Sequence, residues 1–268
     1  PAISNSDISY YRQYGLRALA LLKEEGISRK KETSKMSIGT MVHLLYLEPN
    51  KYYERYNPTQ GCDNPKSDKE RKFAEAIAAG VEPEVAYRAN FSTKFSIKDL
   101  EERHNRLKHF IECVKKGFSG NLPSPSDHLK VVEIVNSIKK SNPIDRIIEN
   151  LRTLTGDKDG SFNYLTMFLK EFKNPKFIDL KGRVDILLYN QSGDYSIVDL
   201  KCTSGLGCKD FREISNSFEY YRELSFYSEL VEGFTTEEGI TLGTNVRNYI
   251  IAVDSDTPYG VQIYVPEE

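Results

Sequence analysis

Two aspartates and a lysine lie in a segment whose alternating pattern predicts a β-hairpin. Residues 181–201 read KGRVDILLYNQSGDYSIVDLK. Alternation places Asp185 on one face of the first strand and places Asp199 and Lys201 on the same face of the second. If the turn is symmetric about Ser192, the Cβ atoms of the two aspartates lie roughly 5 Å apart. Two carboxylates at that distance repel each other unless a positive charge lies between them.

A hard divalent cation would resolve this repulsion, because ionised carboxylates offer only acceptor oxygens and Mg²⁺ or Mn²⁺ prefers such ligands. Lys201 is near enough to orient or deprotonate a metal-bound water, or to neutralise charge on a phosphate. These are the requirements of phosphodiester hydrolysis. The alternative is that Asp185 and Asp199 are exposed charges paired with Arg183 and Lys201. Apolar residues on the other faces of both strands favour a buried position, where charges need a reason to be present.

Composition gives wider limits on the class of protein. The chain has 268 residues, 39% of them hydrophobic, and a net charge of -2. No apolar run approaches membrane-spanning length, and the first residues lack the layout of a signal peptide, so we expect a soluble cytoplasmic protein that is not bound to a membrane. The net charge does not indicate nucleic-acid binding, although a nuclease can concentrate its basic residues in one channel. Reduced thiols are expected of the four cysteines, Cys62, Cys113, Cys202 and Cys208, which lack metal-type spacing.

The elements divide into a helical part, residues 1–160, and a part with a sheet, residues 161–268. In the first part, Ser37 is the predicted cap of a helix that stops near Glu48, because Pro49 follows. Further helices are predicted over residues 68–79, 96–116, 127–140 and 143–152.

In the second part, strands are predicted over residues 162–172, 177–189 and 195–202, the first of which could also be helical. A crossover helix over about 211–231 leads to late strands near 246–252 and 261–265. Its apolar residues recur at helical intervals, so we expect the helix to pack on the sheet through Phe211, Ile214, Phe218, Tyr221, Leu224 and Tyr227. Glu223 and Tyr227 are four residues apart and share a face of this helix.

Four segments together resemble a known family. They are GTMVHLLYLEP at 39–49, KGRVDILL at 181–188, IVDLKCT at 197–203 and YYRELSFY at 220–227. In this order they look like the PD-(D/E)XK nuclease superfamily, and within it the RecE-like exonucleases, with RecB-type nuclease domains as more distant relatives. The resemblance implies an α/β fold in which helices flank a central mixed sheet. It implies one nuclease domain over residues 1–268 whose N-terminal half is helical.

The resemblance also implies roles for single residues. The implied metal ligands are His43, Asp185, Asp199 and the carbonyl oxygen of Leu200. Lys201 is the implied catalytic lysine, acting with the two aspartates. Glu223 and Tyr227 are further candidate catalytic residues. They stand where the family shows Gln and then Tyr four residues later, so an acid replaces the neutral amide at the position that contacts DNA or positions the lysine. Candidate contacts to DNA are Arg183, Arg222 and Tyr227, and for Arg183 a structural ion pair is the alternative.

The activity implied is Mg²⁺-dependent hydrolysis of linear duplex DNA from its ends, with Mn²⁺ able to substitute. For RecE-like enzymes this means 5′-to-3′ digestion in recombination. It also means a homo-oligomeric ring of three or four subunits, and a companion single-strand annealing protein of a phage or prophage system. One alternative is an endonuclease or a RecB-type end-processing nuclease; iron–sulfur members of that branch need clustered cysteines, which are lacking, so no iron–sulfur cluster is expected. Another is an inactive DNA-binding module, which the presence of His43, Asp185, Asp199 and Lys201 disfavours.

Overall fold

A mixed sheet with helices forms the fold of the protein, as the sequence predicts. The structure is a computed structural model that describes residues 4, 6–8, 12, 34–56, 64–91, 96–115, 122–157, 164–174, 180–206 and 211–266. The chain divides into two compact units: one comprises Pro1–Gly39 together with Ile134–Glu268, and the other comprises Thr40–Glu133. The predicted α/β fold class, with a mainly helical first part, is confirmed. The single nuclease domain over the whole chain stays a prediction.

Helices predominate among the described residues of the first part of the chain. Helix α1 spans Ser34–Leu47, so the predicted cap Ser37 lies inside the helix, and this boundary was wrong. A separate helix, α2, begins directly afterwards at Pro49, where proline suits a first helical position because it has no N–H to leave unpaired. The helices from α2 onward are Pro49–Arg55 (α2), Asp68–Ala78 (α3), Pro83–Asn90 (α4), Ile97–Lys115 (α5), Pro125–Ser141 (α6) and Pro143–Thr155 (α7).

In the unit Thr40–Glu133, a buried acid joins α3 to α5. Glu70 accepts hydrogen bonds from Arg103 at 2.7 Å, from Arg106 at 2.6 Å and from the backbone N–H of Lys66 at 2.6 Å. Burial raises the pKa of Glu70, but the hydrogen bonds and the positive charges of the two arginines outweigh burial and lower it below its usual value. Ser67 caps α3, because its side chain accepts a hydrogen bond from the backbone N–H of Glu70.

The other unit contains the sheet. Its strands are Leu165–Asn174 (β1), Leu180–Tyr189 (β2), Asp194–Thr203 (β3), Thr244–Asn245 (β4), Tyr249–Asp254 (β5) and Val261–Tyr264 (β6). The strand order is β1-β2-β3-β5-β6, and β4 pairs with β3. Pairing is antiparallel from β1 to β3, parallel between β3 and β5, and antiparallel between β5 and β6. The predicted antiparallel meander and the later crossover are therefore confirmed.

The hairpin of β2 and β3 has the predicted register. Ile186 pairs with Val198 and Tyr189 pairs with Tyr195, so the hairpin is symmetric about Ser192. Two features hold the turn: the side chain of Asn190 accepts from two backbone N–H groups, and Gly193 adopts a left-handed φ of 82°.

Two consecutive helices cross from β3 to the later strands, where the sequence predicted one. Helix α8 spans Phe211–Ser217 and helix α9 spans Tyr220–Val231. The chain breaks between them at Glu219, whose φ is 53°. The apolar side of both helices joins the hydrophobic core of the sheet, through Phe211 and Leu224 among others. No helix among the described residues is long and apolar enough to cross a membrane.

Candidate active site

The ammonium group of Lys201 lies between two carboxylates that come from different elements. Its Nζ is 2.8 Å from Oδ2 of Asp199, on the same strand, and 2.8 Å from Oε2 of Glu223, on α9. The side chains of Lys201, Asp199 and Glu223 are only 19%, 6% and 22% exposed. Because an unpaired charge is costly to bury, each of these groups needs the others. Strand β3 and helix α9 are thus joined at this point by a charged cluster.

Gly182 of β2 allows α9 to lie close to the sheet. A Cβ atom placed on Gly182 of β2 would lie 2.6 Å from Cδ1 of Leu230 and 3.1 Å from Cε1 of Tyr227. A side chain at this position would force Leu230 and Tyr227 of α9 to move. Gly182, in the KGRVDILL segment, therefore helps to bring Glu223 and Tyr227 within reach of the strands.

Asp185 joins the same region through the backbone of the neighbouring strand. Its Oδ2 accepts a hydrogen bond of 3.0 Å from the N–H of Leu200. The paired residues of β2 and β3 begin with Ile186 and Val198, so this side-chain bond lies just beyond the regular pairing. Asp185 is half-buried, and its charge acts on Asp199. The prediction that the hairpin brings the two aspartates near each other is borne out by this geometry.

The cluster contains more acids than bases. Burial raises the pKa of Asp199, Lys201 lowers it, and Asp185 and Glu223 raise it, for a net upward shift. Burial lowers the pKa of Lys201, but the charges and hydrogen bonds of Asp199 and Glu223 raise it well above its usual range, so Lys201 keeps its proton. If all of the groups were ionised, three carboxylates would face one ammonium. The cluster is then a place where a further cation would be favourable.

Two tyrosines complete the polar contacts of the cluster. The hydroxyl of Tyr227 donates to Oε1 of Glu223 at 3.0 Å, which fixes the carboxylate whose other oxygen accepts from Lys201. Burial, with the charge of Glu223, raises the pKa of Tyr227, so its hydroxyl stays a donor. The ring of Tyr220 lies 4.8 Å from Nζ of Lys201, within the range of a cation–π contact.

Tyr220 was not among the residues selected from the sequence, although it stands three residues before Glu223 in the YYRELSFY segment. The i, i+3 and i, i+4 spacing of 220, 223 and 227 along one helix was the signal that would have found it.

Other predicted site residues lie elsewhere or stay untested. His43 is half-buried on α1 and belongs to the unit Thr40–Glu133, so its role as a metal ligand stays a prediction. Arg183 is exposed on β2. Arg222 is 2.6 Å from a carboxylate oxygen of Glu219, so its guanidinium has a partner within the protein. The roles of the two arginines in DNA binding stay predictions, as does that of the carbonyl of Leu200.

The donor set of the cluster fits a magnesium or manganese ion. Among the described residues, no group of three or more His, Cys, Asp or Glu side chains is arranged to hold a metal ion. Mg²⁺, however, commonly keeps several waters and binds proteins through one or two carboxylates together with substrate phosphates. Asp185 and Asp199 supply such a pair, with the hard oxygen ligands that Mg²⁺ and Mn²⁺ prefer. Of the four cysteines, Cys62 and Cys208 lie outside the described residues, Cys113 is buried and Cys202 is half-buried, and the expectation of reduced thiols stays a prediction.

Comparison with known proteins gives little further information. No protein-family model and no curated protein matches the chain. A solved structure from Eubacterium rectale, described as a "putative exonuclease", is similar over 90% of this chain and 78% of its own, with 12% identity and a TM-score of 0.33. At this TM-score the similarity supports no conclusion about the function of the chain.

Proposed function

We propose that the protein is a Mg²⁺-dependent DNA exonuclease that hydrolyses phosphodiester bonds at the ends of linear duplex DNA. The observation that carries this proposal is the position of Lys201, 2.8 Å from both Asp199 and Glu223, beside Asp185. An excess of carboxylates, one buried and two half-buried, around one ammonium is well suited to hold a divalent cation next to a group that stabilises developing negative charge.

Each side chain of the cluster has a separate task in this proposal. A bound Mg²⁺ would offset the charge of the scissile phosphate and lower the pKa of a water. Lys201 keeps its proton, so it stabilises charge on the phosphate or orients the water rather than removing a proton from it. Glu223 fixes the ammonium, and Tyr227 fixes Glu223 through its hydroxyl. Asp185 is held towards β3 by the N–H of Leu200.

The resemblance to RecE-like exonucleases supplies the remaining parts of the proposal. His43 and the carbonyl of Leu200 are further metal ligands, and Arg183, Arg222 and Tyr227 contact the DNA. Digestion proceeds from 5′ to 3′ and leaves a single strand for recombination. The enzyme works as a ring of three or four subunits with a single-strand annealing protein as its companion.

Digestion of linear duplex DNA in Mg²⁺, with the label on either the 5′ or the 3′ end, tests the activity and its direction. We expect Asp199→Asn to slow hydrolysis at least about a hundredfold, because loss of a metal-binding charge removes several kcal/mol of transition-state stabilisation. Asp145→Asn, at an exposed aspartate of α7, is the matched control and should digest DNA at the parent rate. His43→Ala tests the ligand that the resemblance adds.

Three results would contradict the proposal in different ways. If a closed or nicked circle is cut as fast as the linear duplex, the protein is an endonuclease. If the parent protein binds duplex DNA but leaves it intact in both Mg²⁺ and Mn²⁺, it is an inactive DNA-binding module. If Asp199→Asn digests DNA as fast as the parent, the cluster is not the active site.

A further inference from the structure

Phe218 is an exposed aromatic residue at the break between α8 and α9. Helical spacing predicts that it packs on the sheet, yet 66% of its surface is exposed. The break at Glu219 explains the difference, because the left-handed backbone there changes the direction of the chain before α9 begins. The prediction of a core position for Phe218 was therefore wrong, and so was that for Tyr221, which is 43% exposed.

The ring of Phe218 begins a short aromatic path to the cluster. It stacks on Tyr220, with ring centroids 5.7 Å apart and planes inclined by only 13°. Tyr220 in turn lies 4.8 Å from the ammonium of Lys201. One ring therefore separates the exposed face of Phe218 from the lysine of the candidate active site.

Ion pairs hold the break in place. The carboxylate of Glu219 accepts from Arg12 at 2.8 and 3.1 Å, and one of its oxygens is 2.6 Å from Arg222. A non-glycine residue in the left-handed region costs roughly 1–2 kcal/mol and persists only where its surroundings enforce it. These ion pairs fix the backbone next to Phe218 and place two guanidinium groups beside the residue that follows it.

A folding role does not account for this arrangement. A ring that is two-thirds exposed buries little apolar surface, and a continuous helix with the same sequence period would bury Phe218 and avoid the strained residue. Aromatic rings beside basic groups are how proteins bind single strands of nucleic acid, since every base has a face that can stack.

We infer that Phe218 is a stacking platform for a nucleobase of the DNA strand, close to the phosphate held at Lys201. The inference rests on the proposed function, and it adds the contact that positions the strand. Stacking on Phe218 does not discriminate between bases, so the platform suits an enzyme that digests DNA of any sequence. Phe218 stacks on Tyr220 of α9, and Glu223 of the same helix contacts Lys201. The position of the base therefore depends on the helix that orients Lys201.

Equilibrium binding to a short duplex with a single-stranded end tests the inference. All variants carry Asp199→Asn, so that the DNA is not consumed, and circular dichroism and thermal melting check that each is folded. We expect Phe218→Ala to raise Kd about tenfold, because a base stacked on an aromatic ring contributes on that order. Phe218→Trp keeps the ring and should bind as the parent does, whereas Phe218→Leu keeps apolar bulk without the ring and should resemble Phe218→Ala.

Two further measurements separate stacking from other contacts. Tyr221→Ala removes another exposed ring, on α9 and outside the Phe218–Tyr220 stack, and should change Kd less than twofold. The dependence of log K on log salt should keep its slope in Phe218→Ala, because stacking releases no counterions from the DNA. A 2-aminopurine in one of the terminal nucleotides should lose fluorescence on binding to the parent and not on binding to Phe218→Ala.

The inference fails if Phe218→Ala binds as tightly as the parent, if Phe218→Leu binds as well as Phe218→Trp, or if Tyr221→Ala weakens binding equally. It also fails if Phe218→Ala changes only self-association, measured by sedimentation, because the ring would then serve contact between copies of the chain. Digestion by a chain with intact Asp199 separates the two proposals. If the protein with intact Asp199 digests DNA and Phe218→Ala does not weaken binding, only the inference about Phe218 is wrong. If the protein with intact Asp199 neither binds nor digests DNA, the proposed function is wrong.

Discussion

Replacing Lys201 by methionine tests whether the carboxylates of the cluster depend on the positive charge of the ammonium. The ammonium is 2.8 Å from both Asp199 and Glu223, and methionine fills similar space without charge. Removing one partner of a buried ion pair costs about 3–5 kcal/mol, because the other charge is left unpaired. Glu223 is 22% exposed and can turn towards water, so we take the lower end, about 3 kcal/mol. At ~3 °C per kcal/mol, the melting temperature should fall by roughly 10 °C in EDTA.

Mg²⁺ should reverse most of this loss. A cation that binds the folded protein alone contributes about 2.7 kcal/mol at a hundred times its Kd. Without the competing charge of Lys201, the acids should bind Mg²⁺ more tightly, so the melting temperature of Lys201→Met should rise more with Mg²⁺ than that of the parent. Melting curves in EDTA and in a series of Mg²⁺ concentrations, at constant ionic strength, measure both effects.

The matched control is Lys181→Met, which removes an exposed lysine from β2. It should melt within about 2 °C of the parent, and Mg²⁺ should affect the two proteins equally. If Lys201→Met melts at the parent temperature in EDTA, the acids do not depend on the ammonium. Equal responses of Lys201→Met and the parent to Mg²⁺ would refute the metal site and leave the ion-pair argument intact.

Three other substitutions test the unit Thr40–Glu133 and the turn of the hairpin. Glu70→Gln should lower the free energy of unfolding in urea by about 2 kcal/mol at pH 7, because the ionised acid accepts hydrogen bonds from two arginines. The pKa of Glu70 in the folded protein lies below its usual 4.5. The difference in stability between the parent and Glu70→Gln should therefore shrink as the pH falls below 4.5 and should not change above it. Gly193→Ala should lower stability by at least about 2 kcal/mol, because its φ is 82° and a Cβ would lie 2.3 Å from the carbonyl oxygen of Thr241. Gly239→Ala has a similar φ of 80° with open space around it, so it should lose only about 1 kcal/mol; equal losses at the two glycines would contradict the contact with Thr241.

The hairpin could be predicted from the sequence because its signals are local. The alternation of apolar and polar residues predicts which side chains share a face of β2 and of β3. Asn190 and Gly193 indicate the turn, and the centre of the turn determines which residues of the two strands pair. Once that register is known, the proximity of Asp185 and Asp199 follows from counting residues. The two short helices α2 and α4 were missed, although each begins with a proline, because so few residues give no clear periodicity.

The break at Glu219 could not be predicted in this way. Phe211 to Tyr227 show one continuous helical period, and nothing local favours a left-handed backbone at an acidic residue. One of the partners that hold Glu219 is Arg12, 207 residues away in the chain. The exposure of Phe218 therefore depends on long-range contacts that override the local pattern.

The acid at position 223 has a physical consequence that a glutamine, the residue of the RecE-like pattern that the sequence resembles, would not have. A glutamine there would offer Lys201 a neutral oxygen and would leave the ammonium to Asp199. Glu223 instead shares the ammonium equally with Asp199, at 2.8 Å each, and is itself fixed by Tyr227. Asp199 and then Glu223 raise the pKa of Lys201, and Glu223 also adds a negative charge beside the two aspartates. An acid at position 223 therefore makes the cluster more favourable to a further cation than a glutamine would, and under the proposed function it favours charge stabilisation by Lys201 over proton removal.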